Sequence, residues 1–289
     1  MPRKHKIAAS ALNIRLHPHT AQRYVEWLEA IFARKQIAQV HGDRHGMISM
    51  LDRSELTGGI LSGIITTFVK LDDTGSWFNT EKLTEATDAQ VQSVVIPRNL
   101  YPNSASFYFY FDSVEHKLYF QTYSSGKTFT PGSSLRFFSA LARDIEVSGK
   151  YGEAKISIVQ EKASLDKLFG IKRIKEIQIT ILRPNTDIFD DDFEAKIEAH
   201  LEESHSREIS INYKSEPGAS ITPTEEIRQI SGVALENGNV KVIGRDEKGA
   251  VTMNSDEFPK ELHNRYDPEA QSERAAFLSL IPARKKTAN

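Results

Sequence analysis

Glu153-Ala154-Lys155 is the tripeptide in this chain that comes nearest to a hydrolytic motif. A metal-dependent nuclease gathers one acidic residue and a Glu-x-Lys strand around Mg²⁺, with the lysine beside the attacked phosphate. Asp144 and Glu146 lie upstream and could supply the first carboxylate. Both fall at a predicted helix end, however, and their spacing to Glu153 is short for an acid carried on a hairpin. Three-residue matches of this kind are also common by chance. The catalytic set this reading offers is Asp144 or Glu146 with Glu153 and Lys155, and Mg²⁺ or Mn²⁺ belongs to it alone. No other cofactor is expected.

Metal ligation has a second set of candidates. His5, His17, His19, His41 and His45 are five of the nine histidines, and His17, His19, His41 and His45 could together offer imidazoles to zinc or iron. An i, i+4 pair converges only on a helix, and Gly42 between His41 and His45 favours a turn instead. Polar loop histidines are the simpler reading. Asp190-Asp191-Asp192 with Glu194 could hold a divalent cation through oxygen. These residues open a predicted helix, where carboxylates are favoured by the macrodipole without any metal. Ser125-Gly126-Lys127-Thr128 looks like the end of a phosphate loop, but it lacks the leading glycine and follows a hairpin arm, so it reads as a turn. Dinucleotide-binding and nucleophile-elbow signatures are missing from the sequence. The absence of cysteine removes disulfides, thiolate catalysis, Cys-ligated zinc and Fe–S clusters together.

The remaining chemistry is recognition. Over Lys150–Lys175 there are seven basic residues against three acidic ones, whereas Asn185–Glu208 carries nine acidic residues against two basic. A basic segment could contact phosphates through Lys150, Lys155, Lys162, Lys172, Arg173 and Lys175, or it could be a solvated face. A tyrosine stripe, Tyr108, Tyr110, Tyr119 and Tyr123, could stack bases with Lys117 and Lys127 nearby. Its competing reading is cross-strand tyrosine packing.

The elements that would position these residues follow from periodicity. Ser106–Phe111 and Lys117–Tyr123 alternate strictly, so Phe107, Phe109, Phe111, Leu118 and Phe120 share one face of a hairpin. The tyrosines and Gln121 share the other. Thr130-Pro131 is a cap followed by proline at the first helical position, opening a helix with Leu135, Phe138, Leu141 and Ile145 inward. If that helix covers the tyrosines the hairpin is scaffold; if they are open it is a binding surface. Ile7–Leu16 reads as a strand, Thr20 caps a helix to about Lys35, and Gly59–Leu71 reads as a buried strand. Further strands are expected at Lys155–Val159, Lys175–Leu182 and Glu208–Tyr213, with helices at Ser164–Phe169 and after Asn185. Thr222-Pro223-Thr224-Glu225 reads as a capping box, followed by a hairpin turning at Asp246–Gly249. The class is α+β, a mixed and mostly antiparallel sheet in the first half with packed helices and a βαβ-like second half. Residues 1–149 and 150–268 are two expected lobes that could share one core, with 269–289 a polar tail.

The sequence resembles the domain-of-unknown-function family 4747. The resemblance rests on Ala11-Leu12-Asn13-Ile14, Ser62-Gly63-Ile64-Ile65-Thr66-Thr67-Phe68, Trp77-Phe78-Asn79, His116-Lys117-Leu118-Tyr119-Phe120 and Arg183-Pro184-Asn185-Thr186-Asp187. It implies a soluble bacterial protein of unassigned biochemistry, carried with mobile-element or phage-defence genes, and it transfers no catalytic residue. With a net charge of −2 and 39% hydrophobic residues, a globular and cytoplasmic protein is expected. No apolar run is long enough to span a bilayer. The expected role is an accessory protein acting through nucleic-acid or protein contacts, with homo-oligomerisation open and the nuclease as the alternative.

Overall fold

Nine consecutive residues, Ile7 to Arg15, are buried in the first strand, β1 (His5–Arg15). A run buried on both faces belongs in the middle of a sheet. The computed structural model describes residues 4–18, 20–71, 75–95, 97, 99–183 and 192–284. Helix α1 (Ala21–Ala33) follows, with Thr20 Oγ1 accepting from the Arg23 amide at 3.2 Å and Tyr24, Trp27, Leu28 and Ile31 buried. Strands β2 (Ala38–His41), β3 (Arg44–Asp52) and β4 (Ile60–Val69) form a meander. An excursion then carries β5 (Phe78–Asn79), β6 (Thr84–Glu85) and α2 (Asp88–Gln92). The hairpin comes next as β7 (Ala105–Asp112) and β8 (Lys117–Ser124), extended by β9 (Lys127–Thr128). Helices α3 (Pro131–Ala142) and α4 (Ile145–Tyr151) lead to β10 (Lys155–Ile158).

The second half alternates helices and strands: α5 (Ser164–Phe169), β11 (Arg173–Leu182), α6 (Asp192–Glu203), β12 (Glu208–Lys214), α7 (Glu225–Asn237) and β13 (Gly238–Asp246). It ends with β14 (Gly249–Asn254), β15 (Leu262–Tyr266) and α8 (Glu273–Leu278). Two main sheets result, in a fold that is α+β. The larger has the order β10-β1-β8-β7-β4-β3-β2, with β15 also on β1 and β9 on β8; the smaller is β12-β11-β13-β14. Every ladder in both is antiparallel, so the alternation in the second half does not produce parallel crossovers. Strands β10 and β15 come from beyond residue 150 and complete the first sheet. The sheets meet at a buried polar seam where the end of α7 faces β1. There Asn13 Nδ2 donates to the Glu236 carbonyl at 3.0 Å, and Arg15 donates to Asn237 Oδ1 at 3.4 Å and to Ser157 Oγ at 3.0 Å. Burial pushes the Arg15 guanidinium down to about 10.

Phe107, Phe109, Phe111, Leu118 and Phe120 are buried against Phe129 and the Phe137 and Phe138 rings of α3. Burying one such side chain contributes about 1.5–3 kcal/mol. Helix α3 therefore covers the phenylalanine face, not the tyrosines, because its own buried stripe is aromatic and apolar. It stops at Ala142, since Asp144 caps a new helix by accepting from the Glu146 and Val147 amides, and Ile145, expected inward, is 86% exposed. At α7 the cap is Thr224 rather than Thr222. Thr224 is extended and accepts from the Ile227 amide, whereas the residue before Pro223 is biased away from helical geometry.

Candidate nucleic-acid interface

The pairing of β7 with β8 ends at Phe109 opposite Phe120. Beyond it the fully buried Gln121 side chain takes over from the ladder. Its Oε1 accepts from the Tyr108 amide at 3.2 Å, and its Nε2 donates to the Tyr123 carbonyl and to Glu273 Oε1, both at 2.7 Å. On its other side β8 bulges against β1, with Ala9 opposite Gln121 and Ala8 opposite Tyr123. β8 then turns into β9 through Ser125 and Gly126, both at positive φ (47° and 82°). The turn read over Ser125-Gly126-Lys127-Thr128 is confined to Ser125 and Gly126, with Lys127 and Thr128 forming β9. Strands β7 and β8 thus part, and the gap becomes a recess.

Two adjoining clefts occupy this end of the sheet. The first, about 550 Å³, lies where the start of β1 pairs with β15. The antiparallel register places Lys6 opposite Arg265 and His5 opposite Tyr266. Lys4, Lys6 and Arg265 are exposed on its walls, and Lys6 Nζ sits 5.5 Å from the centroid of the Tyr123 ring. The His5 ring meets Tyr266 edge-on at 5.8 Å. Burial first, then the negative charge of Glu273, pushes the Tyr266 phenol up, which keeps it a neutral donor. The second cleft, about 280 Å³, shares Ser125 and Glu273 with the first and is walled by Ser104, Ser106, Ser124, Tyr108 and Lys127. Neither Lys4, Lys6 nor Arg265 has an ion-pair partner among the described residues.

The tyrosine stripe divides. Tyr119 is 6% exposed and packs with Ile7, Ala9, Ala276 and Phe277, while Tyr110 is half-buried with its ring 6.4 Å from that of Tyr119. Burial pushes both phenols up. Tyr108 stacks on Phe277 of α8 at 6.3 Å and borders the second cleft; Tyr123 borders the first. The cover over the tyrosines is the C-terminal segment. The basic residues expected to form one face are dispersed among local partners. Lys117 and Lys162 each stand 3.6 Å from the Glu236 carboxylate, Lys172 stands 3.3 Å from Glu247, and Lys155 stands 2.6 Å from Glu153. Lys150 Nζ lies 5.0 Å from the Tyr151 ring, Arg173 donates to the Gly218 carbonyl at 2.7 Å, and Lys175 is exposed on β11.

Two of the nuclease candidates are engaged with Arg34 and the other two with each other. Asp144 caps α4 and pairs with Arg34 at 3.0 Å, Glu146 also bonds Arg34, and Glu153 pairs with Lys155, which holds the Glu153 carboxyl below its ordinary range. His17 is exposed in the bend after β1, His41 is exposed at the end of β2, and His45 Nδ1 lies 3.1 Å from the Asp43 carbonyl. His19, Asp190 and Asp191 lie outside the described residues. Among the described residues no group of three or more His, Asp or Glu side chains is placed to hold a metal ion. Lys4, Lys6, Arg265, Tyr266, Gln121 and Glu273 are the residues of this end that motif reading passes over. For Lys4 and Lys6 the visible signal is the basic run Lys4-His5-Lys6, and for Gln121 its place on the tyrosine face of the hairpin.

The arrangement defines an antiparallel α+β protein with a cationic, tyrosine-walled cleft at one end of its larger sheet. The chain belongs to the family described as Domain of unknown function (DUF4747), whose model matches residues 5–282 and so takes in both sheets and α8. No curated protein matches it. Among the described residues no helix is long and apolar enough to cross a membrane.

Proposed function

We propose that this protein is an accessory binding protein that engages nucleic acid through the Lys4, Lys6 and Arg265 cleft. The defence association implied by the family resemblance suggests a bacterial, anti-phage setting for it. One observation carries the reading: three exposed cations converge on a concave surface beside the Tyr123 ring, without carboxylate partners among the described residues. Cations for phosphates and an aromatic ring for a base are the two parts a single-strand site needs. The test is a shift assay with labelled single-stranded RNA and DNA in low salt. Wild-type protein binds and releases as salt rises, and the double variant Lys6→Glu, Arg265→Glu does not bind. Absence of binding, or binding that ignores the double substitution, overturns the reading and leaves a protein partner for the cleft. The rival nuclease reading has less support, because Glu153 and Lys155 neutralise one another and Asp144 serves as a cap. Plasmid or RNA cleavage with Mg²⁺ or Mn²⁺ that Glu153→Ala abolishes would reverse that ranking.

A further inference from the structure

Where a bound strand could run is decided by residues 273–284. Glu273 sits over Gln121 at one end of the tyrosine face, and Arg274 Nη2 reaches Asp52 at 2.7 Å and Ser62 at 3.2 Å. Phe277 then covers Tyr108, and Arg284 Nη2 donates to Asp112 at 2.8 Å in the hairpin turn at the far end. The segment therefore lies along the whole tyrosine face. A chain of nucleotides entering across Lys4, Lys6 and Arg265 meets Glu273 and has no continuing path over the sheet. The second cleft, though, shares Ser125 and Glu273 with the first at that point, and its lining is hydroxyl-rich where that of the first is cationic.

Resting on the nucleic-acid reading above, we infer that the two clefts form one site for a single nucleoside monophosphate unit. The phosphate lies against Lys4, Lys6 and Arg265. The base enters the recess between β7 and β9, bordered by the half-buried Tyr108 on the side that Phe277 leaves open, where Ser106, Ser124 and the Glu273 carboxylate offer hydrogen-bonding groups. A terminal phosphate monoester carries more charge than an internal diester and matches three converging cations better. The same unit exists at the 5′ end of a strand and as a free nucleotide. A circular strand presents only internal diesters and cannot place a terminal base in the recess.

Fluorescence anisotropy with the full chain tests this, using a dye-labelled, 5′-phosphorylated single-stranded oligonucleotide as the probe. Competitors are the unlabelled linear strand, circular single-stranded DNA of the same composition and nucleoside 5′-monophosphates. The linear 5′-phosphorylated strand is expected to compete at least about tenfold better than the circle. Displacement by the mononucleotides as well, with their affinity within about tenfold of the strand's, assigns the free nucleotide as a ligand in its own right. Ser106→Phe, at an exposed position on the recess wall, is expected to remove the preference for ends. Lys82→Ala, on the β5–β6 turn, serves as the control. Thermal melting establishes that each variant folds. Equal competition by circle and linear strand overturns the end site while leaving nucleic-acid binding intact. A folded Ser106→Phe variant that keeps the full preference overturns it too. If no probe or mononucleotide binds at low salt, both this inference and the reading beneath it fall.

Discussion

At Gly63 on β4 the sheet has no room for a methyl group. A Cβ built there would lie 2.2 Å from the Met50 carbonyl oxygen and 2.7 Å from the Phe109 ring. The β3–β4 register shifts close by, between Ile48 and Met50, and Leu51 is the residue paired with Gly63. Gly63→Ala forces either the bulge or the Phe109 ring to move, at about 1–3 kcal/mol, the usual cost of overpacking. Urea denaturation should show a lower midpoint, and an unchanged one would mean the bulge yields freely. Asp52, at the end of β3, illustrates a charge effect of a different size. Its carboxyl is held below the ordinary 3.8 chiefly by the Ser54 amide, then by the Ser54 hydroxyl and Arg274. A carboxylate with a depressed folded pKa stabilises above its unfolded value and loses that contribution as pH falls through the folded one. The loss therefore falls below about pH 4 and amounts to less than about 1 kcal/mol for a solvent-screened pair. Melting temperature followed from pH 6 to pH 3 should drop less steeply in Asp52→Asn than in the wild type. Parallel curves would assign the acid sensitivity to other groups.

Helix α8 has only six residues, yet it covers the face that the hairpin's tyrosines would otherwise open to water. Phe277 is its fully buried anchor, and truncating such a ring costs about 3–5 kcal/mol. Phe277→Ala should therefore lower stability by that order and speed amide exchange at Ala276 before it does so in the α3-covered side of the sheet. Uniform acceleration would show that the segment does not open separately. These elements also mark what sequence can reveal. The hairpin, the Thr20 and Thr130 caps and the Ser164–Phe169 helix were legible because each is written in local period or local capping chemistry. Which sheet face α3 meets was not, since an apolar stripe names no partner, and α8 is too short to show a period. The candidate site was least legible of all. Lys6 and Arg265 are neighbours only because strands from the two ends of the chain pair, and Gln121 gained its role only where β7 and β8 part.

On the scale of the whole molecule, a net charge of −2 gives no general attraction for nucleic acid, so any binding must be local. The two possible footprints differ in the number of phosphates they neutralise. Contacts spread over Lys117, Lys127 and the basic segment from Lys150 to Lys175 would involve nine cations, giving a log–log salt slope of about −6 for a single strand. The first cleft offers Lys4, Lys6 and Arg265, which gives a slope of about −2. The shallower value is the expected one, because several members of the larger set already face Glu236, Glu247 or Glu153 and would have to leave those partners to meet a phosphate. Titrations at a series of salt concentrations decide between them. Arg265→Ala should flatten the slope by about 0.7 and Lys172→Ala should leave it in place. A slope steeper than about −5 that responds to Lys172 instead would move the interface to the basic segment and remove the cleft from it.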